Sequence, residues 1–138
     1  MRVLKTKDLY RILDANLNRS KEALRVLEDT ARFMLDHPGL TSQYKKLRHQ
    51  LTAIVEGLSL KALIQARNIE GDVGKRSIFK ELKRTSAVDI FYANSQRLKE
   101  SVRVLEEFSK LFNKRAAQQL KEVRYKIYAL EKKMASAM

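Results

Sequence analysis

Three polar side chains at helical spacing, an Asn, an Arg three residues on and a Glu three further, occur twice in this chain. Asn16, Arg19 and Glu22 lie in ANLNRSKEALRVLE at 15–28; Asn94, Arg97 and Glu100 lie in ANSQRLKESVRVLE at 93–106. The offset is 78, and Ala15, Asn16, Arg19, Lys21, Glu22, Arg25, Val26, Leu27 and Glu28 all recur. Packing alone would preserve an apolar pattern, not polar letters. Guanidinium holds phosphate in a bidentate fork, and a carboxylate can serve a metal ion or a proton. The repeat therefore predicts a polar cavity lined by both copies, with Arg19 and Arg97 on phosphate and Glu22 or Glu100 as accompanying carboxylates. The competing explanation is a structural network in which these side chains satisfy one another.

Helix geometry sharpens both explanations. Asn16 falls at the centre of an apolar stripe with Ala23, Leu27 and Met34, and Asn94 does so with Ser101 and Leu105. The Arg lies about 60° and the Glu about 120° to one side of each Asn. A buried amide without a partner costs about 1–3 kcal/mol, so each Asn must be hydrogen-bonded. Arg25, Glu28, Arg103 and Glu106 point further round and have the spacing of ordinary surface ion pairs.

Between the copies runs RNIEGDVGKRSIFKELKRT, residues 67–85. Gly71 and Gly74 flank Asp72 there, so that backbone amides can approach an anion while Asp72 ligates a cation. Taken alone, this pattern occurs in many turns. Arg67, Lys75 and Arg84 add cations to the same segment. No Walker loop, GxGxxG or kinase catalytic-loop pattern is present. His37 and His49 stand alone, and His37 beside Pro38 reads as a turn residue. The scattered Tyr and Phe residues read as packing.

The elements that must position these groups are helical. Apolar residues at helical period run through Ile12–Met34, end at Asp36-His37-Pro38-Gly39, and resume from about Thr41 to Ala66. A third helix is expected from Ser86, in a capping box with Asp89, and a fourth from Asn113, with a short helix at 77–82. A fainter echo, YKKLRHQLTAI at 44–54 against LKEVRYKIYAL at 120–130, makes the repeat unit a helix pair. The expected fold is all-α: a bundle of two duplicated antiparallel helix pairs with internal pseudo-two-fold symmetry. It forms a single helical domain over 1–138, with repeat one at about 8–66, the connecting loop at 67–85 and repeat two at about 86–135.

Composition bounds the rest. With 138 residues, 44% hydrophobic, four Gly and one Pro, the chain can bury a core and is not disordered. Without Cys it has no thiolate metal site and no disulfide. It holds no apolar run long enough for a membrane span, and MRVLKTKDLY does not read as a signal peptide, so the expected location is the cytoplasm. The net charge of +13 predicts anionic partners. The basic residues alternate with acids along helices, which argues against a dedicated nucleic-acid arm. Self-association is left open.

The combination ILDANLNRSKEALRVLEDTARF, LRH, RNIEGDVG and ANSQRLKESVRVLEEFSK resembles the small all-helical domain fused ahead of thiamine-phosphate synthase in diverse bacteria. The resemblance covers essentially the whole chain. It implies a hydroxymethylpyrimidine phosphate kinase, which transfers the γ-phosphoryl group of ATP, with Mg²⁺, to the pyrimidine monophosphate used in thiamine synthesis. A thiamine-phosphate synthase is then the expected functional partner. The chain departs from the pattern in lacking the synthase barrel, as a stand-alone or repurposed relative would, and in placing Lys75 where a small hydroxyl residue is expected. For this chemistry, Arg19, Arg97, Arg67 and Arg84 are expected on phosphates and Asp72 on Mg²⁺. Asn16 and Asn94 are expected to order the cavity or meet the pyrimidine edge. The alternatives are a non-catalytic module that binds a phosphometabolite or docks on a thiamine enzyme, and a basic RNA-binding protein.

Overall fold

A computed structural model describes residues 3–138, with the backbone alone at Lys80; Met1 and Arg2, at the head of the expected non-signal N-terminus, lie outside it. Among the described residues there are helices and no strands. Helix α1 spans Thr6–Asp29 and runs into a π turn at Thr30–Met34. Asp36 then turns the chain with a φ of 48°. His37 caps α2, Pro38–Val55, its Nδ1 accepting the Leu40 N–H at 3.0 Å, with Pro38 in the first helical position. Short helices α3, Leu60–Ala66, and α4, Phe79–Leu82, precede the long α5, Ala87–Ser109, and α6, Lys114–Ala137.

Two boundaries differ from expectation. The helix expected to continue to Ala66 breaks after Val55. Gly57 is a poor helix former, and Ser59 starts α3 afresh by accepting the Ala62 N–H at 3.2 Å. Met34, placed on the buried stripe by periodicity, is 59% exposed, and Phe33 faces solvent with it. In the π turn the Leu35 N–H reaches back five residues to the Thr30 carbonyl at 3.2 Å, which turns the residues around it off the α-helical phase. The starts of α5 and α6 hold: Ser86 accepts the Asp89 N–H at 3.2 Å, and Asn113 accepts the Ala116 N–H at 3.0 Å. The Asp89 carboxylate closes onto the hydroxyl and N–H of Thr85. The Thr85 hydroxyl is the main reason that the Asp89 carboxyl sits below its ordinary range.

The apolar faces of α1, α2, α5 and α6 meet in one core cluster that includes Leu13, Leu24, Tyr44, Leu51, Phe91, Leu105 and Ile127. The most extensive helix contact is α1 on α5. Each hairpin is antiparallel. Lys126 Nζ donates to Gln50 Oε1 at 3.1 Å and Glu131 lies beside Tyr44, so α2 and α6 also run antiparallel. It follows that α1 and α5 are antiparallel. Where they cross, Ser20 and Ser101 share a hydrogen bond of 2.7 Å between buried hydroxyls.

The ion pairs expected at the surface are centred on buried carboxylates. Glu28 and Glu106 are only 4% and 3% exposed. Arg25 meets Glu28 at 3.0 Å, and Arg48 reaches the same carboxylate from α2 at 3.3 Å. In the second copy Arg103 meets Glu106 at 2.9 Å and Arg124 reaches it from α6 at 3.3 Å. Each carboxylate ties the two helices of its own hairpin.

Candidate functional site

The first copy of the repeated residues opens on a cleft of about 530 Å³ between the N-terminal half of α1 and the start of the connecting segment. Asn16 and Arg19 line it from α1, and Arg67, Asn68 and Asp72 line it from the segment. Asn16 is buried, and its Nδ2 donates to the Ile12 carbonyl at 2.9 Å. Its Oδ1 accepts Arg19 Nη1 at 3.3 Å. The amide thus satisfies itself on its own helix and aims a solvent-exposed guanidinium along the cleft wall.

Asp14, one of the cleft's buried groups, escaped the sequence reading. Arg67 forks onto it, Nε to Oδ2 at 2.7 Å and Nη2 to Oδ1 at 2.8 Å, and Asn18 donates to Oδ1 at 3.2 Å. The hydrogen bonding of Arg67 to Asp14, then the charge of Asp14, raise the Arg67 pKa above its ordinary value. The fork pins the connecting segment to α1 and leaves Nη1 of Arg67 for a ligand. Position 92, the counterpart of Asp14, is Tyr, so the repeat carried no sign of this pair. The available signal was an acid on the border of the apolar stripe, four residues before Asn18. Asp8, Arg11 and Asn68 add further polar groups to the wall, and all three lie outside the repeated segment.

Asp72 is among the residues lining this cleft, and its Oδ1 accepts the Gly74 N–H at 2.9 Å. The Gly71 N–H is engaged by Asn68 Oδ1 at 2.8 Å, and a Cβ at Gly71 would collide with that amide. Both glycines therefore shape the turn, and their amides already have acceptors. Neither glycine, nor the exposed Lys75, lines the cleft.

The second copy faces a different, smaller cleft of about 280 Å³. There Asn94 and Arg97 meet Arg84, Ser77 and Glu81 from the other end of the segment. Asn94 Nδ2 donates to the Ile90 carbonyl at 2.8 Å, as Asn16 does to Ile12, but Asn94, expected in the core, is only partly buried. The expected single cavity is thus divided in two. Asn16 stands four residues before Ser20 and Asn94 seven before Ser101. In antiparallel helices these offsets add, to about 16 Å along the pair. Glu22 is exposed and lines neither cleft; Glu100 lies in a shallow recess with Gln96, Lys99, Arg103 and Tyr128.

Among the described residues no three His, Asp or Glu side chains form a ready-made metal cage. An ion carried in by phosphate oxygens needs only one or two carboxylates, and Asp72 beside the first cleft fits that requirement. No described helix is long and apolar enough to cross a membrane.

A sequence model of the ThiD2 family matches residues 11–133. The thiamine-phosphate synthase of Nostoc punctiforme is 40% identical over 124 residues, which are 89% of this chain and 34% of that protein. Those of Prochlorococcus marinus subsp. pastoris and Rhodopirellula baltica are 37% and 36% identical, each over 94% of this chain and 36% of their own length. The chain thus spans about a third of the length of these curated relatives. No solved structure matches.

Proposed function

The chain belongs to the ThiD2 family, and from that premise we propose that it transfers the γ-phosphoryl group of ATP to hydroxymethylpyrimidine monophosphate, in thiamine biosynthesis. The thiamine-phosphate synthase relatives support the pathway. The observation that carries the chemistry is the first cleft, which gathers Arg11, Arg19 and Arg67 with the carboxylates of Asp8, Asp14 and Asp72, Asp14 being already paired with Arg67. Phosphoryl transfer asks a protein for little beyond positioning and charge neutralisation. A phosphate oxygen of the acceptor attacks the γ-phosphorus, the bond to the β–γ bridging oxygen breaks, and ADP leaves with that electron pair. The acceptor is already ionised, so no strong base is required. Arg19, aimed by Asn16, and Arg67 neutralise the transferring group. Asp72 would hold Mg²⁺, which supplies charge neutralisation on the nucleotide phosphates.

The reacting phosphates must lie within bonding reach of each other, so they share the first cleft. Asn94, Arg97 and Arg84 then bind a part of a substrate remote from the reacting phosphorus. A docking module for a thiamine-phosphate synthase is the second reading. It is favoured by the exposed Ile69, Val73, Ile78, Phe79 and Leu82 of the connecting segment. The deciding experiment combines the protein with ATP, Mg²⁺, the pyrimidine monophosphate and a separately purified synthase. Pyrimidine-dependent ADP release and thiamine phosphate formation are expected. Complex formation with the synthase in the absence of any ADP release would replace the kinase with the docking module.

A further inference from the structure

The turn end of the α5–α6 hairpin carries a cationic cleft of about 660 Å³ that the transfer chemistry does not use. Its cations are Arg103, Lys110, Lys114, Lys121 and Arg124, facing the buried carboxylate of Glu106. Glu106 is shared by Arg103 and Arg124, and at the rim Glu107 takes Lys110 at 2.7 Å and Arg103 at 3.1 Å. Among the described residues, Lys114 and Lys121 have no carboxylate partner.

Arg124 is held in place. It donates to Glu106 and, through Nη1, to Tyr128 Oη at 3.2 Å, and its buried Nε has no acceptor among the described residues. The hydrogen bond from Lys110, then the charges of Lys110, Arg103 and Arg124, keep the Glu107 carboxyl below its ordinary range. Lys114 also opens the 24-residue α6, whose positive end adds to the field. The hairpin does not require this lysine, because the corresponding residue of the first hairpin, at the offset of 76, is Pro38.

We propose that this cleft is a separate anion site for a chain of phosphates, carried by a nucleoside triphosphate or free as polyphosphate. The excess of cations over carboxylates suits a multiply charged chain better than a single phosphate. The two unpartnered lysines are mobile point charges that can follow successive phosphates. Tyr125, half-exposed with the Arg124 guanidinium 5.4 Å from its ring centroid, offers a stacking face for a base.

The test titrates the protein with sodium tripolyphosphate and with ATP, following backbone amide shifts by NMR and affinity by calorimetry, in an Arg19→Ala background that weakens the transfer cleft. Shifts should cluster within 103–125. Lys114→Gln with Lys121→Gln should weaken tripolyphosphate binding about tenfold or more while the melting curve stays put. Lys46→Gln with Lys133→Gln removes the same charge from the α2–α6 groove and should change affinity less than about twofold. ATP binding tighter than tripolyphosphate, and weakened by Tyr125→Ala, identifies a nucleotide. Equal affinities, indifferent to Tyr125→Ala, identify free polyphosphate. Equal losses in the two lysine pairs, or shifts spread over every basic face, overturn the proposal. So does steeply salt-dependent binding of generic RNA with none of tripolyphosphate.

Discussion

Glu106→Leu tests the view that a buried carboxylate, rather than apolar packing alone, holds the second hairpin together. The substitution keeps an apolar filler in a site 3% exposed but leaves the Arg124 guanidinium, 12% exposed, without the carboxylate it bonds, with only the more distant Glu107 charge near it. Breaking a fully buried pair costs about 3–5 kcal/mol. Arg103 is half in solvent and Arg124 borders an open cleft, so the expected loss lies near the low end, about 3 kcal/mol. A chain of 138 residues has an unfolding entropy of about 0.3 kcal/mol per degree, so Tm should fall by about 10 °C. Thermal unfolding followed by circular dichroism, with urea titration for the free energy, reads both quantities. Glu106→Leu with Arg124→Leu should return to within about 1 kcal/mol of the parent, because no charge is then left uncompensated. Glu28→Leu, alone and with Arg48→Leu, should repeat the pattern in the first hairpin. A single variant that loses under about 1 kcal/mol, or a double variant no better than the single, would refute the reasoning.

Other outcomes follow from the same contacts. Arg19→Ala should lower kcat/KM by about 10²-fold or more, with Arg19→Lys recovering only part; near-parent kinetics with a lowered Tm would make Arg19 a network residue. Arg97→Ala in the same assay reports whether the second cleft takes part, and unchanged kinetics would confine the site to the first. Asp72→Ala should lower turnover far more than Tm, and matched losses would show that its bond to the Gly74 N–H is its whole role. Tyr44→Phe removes a buried hydroxyl that has no partner among the described residues and should be neutral or stabilising by up to about 1 kcal/mol in urea unfolding; a clear loss would reveal a hidden acceptor. Thr85→Val should raise the Asp89 pKa toward its ordinary 3.8 in an NMR titration. A depressed folded-state pKa gives stability that is present above the unfolded value and lost as pH falls through the folded one. The stability gap between parent and Thr85→Val should therefore close as pH drops below about 4, and a gap unchanged at pH 2 would contradict the assignment.

Local chemistry was legible in the sequence where one residue decides it. Asn113, Ser86 and the His37–Pro38 turn sit where their types placed them. The repeat showed that Asn16 and Asn94 need hydrogen bonds but placed them in one shared polar region; each instead bonds the carbonyl four residues back on its own helix, as a structural role would have it. What it could not give was direction. A repeated motif reads alike whether its helices pack parallel or antiparallel, and the antiparallel pairing sends the two Asn–Arg pairs to separate clefts. Partners far apart in the chain were also hidden. The Asp14–Arg67 fork joins residues 53 apart, and Glu28 looked superficial until Arg48 arrived from α2. Met34 failed for another reason: periodicity assumes an α-helical phase, and the π turn changes it.

The α1–α5 contact has a consequence during synthesis. The apolar face of α1, Leu13, Leu17 and Leu24 among it, leaves the ribosome long before its cover, which begins at Ala87. At about 5–20 residues per second, that face waits on the order of 4–15 s. On a polysome the surface most like the missing α5 is the α1 of a neighbouring nascent chain, since the two helices share much of their sequence. The duplication that completes the fold thus also presents each newborn chain with a plausible wrong partner. The α1–α2 hairpin, tied by Glu28 and Arg48 and complete in sequence before α5, covers part of that apolar surface once it forms.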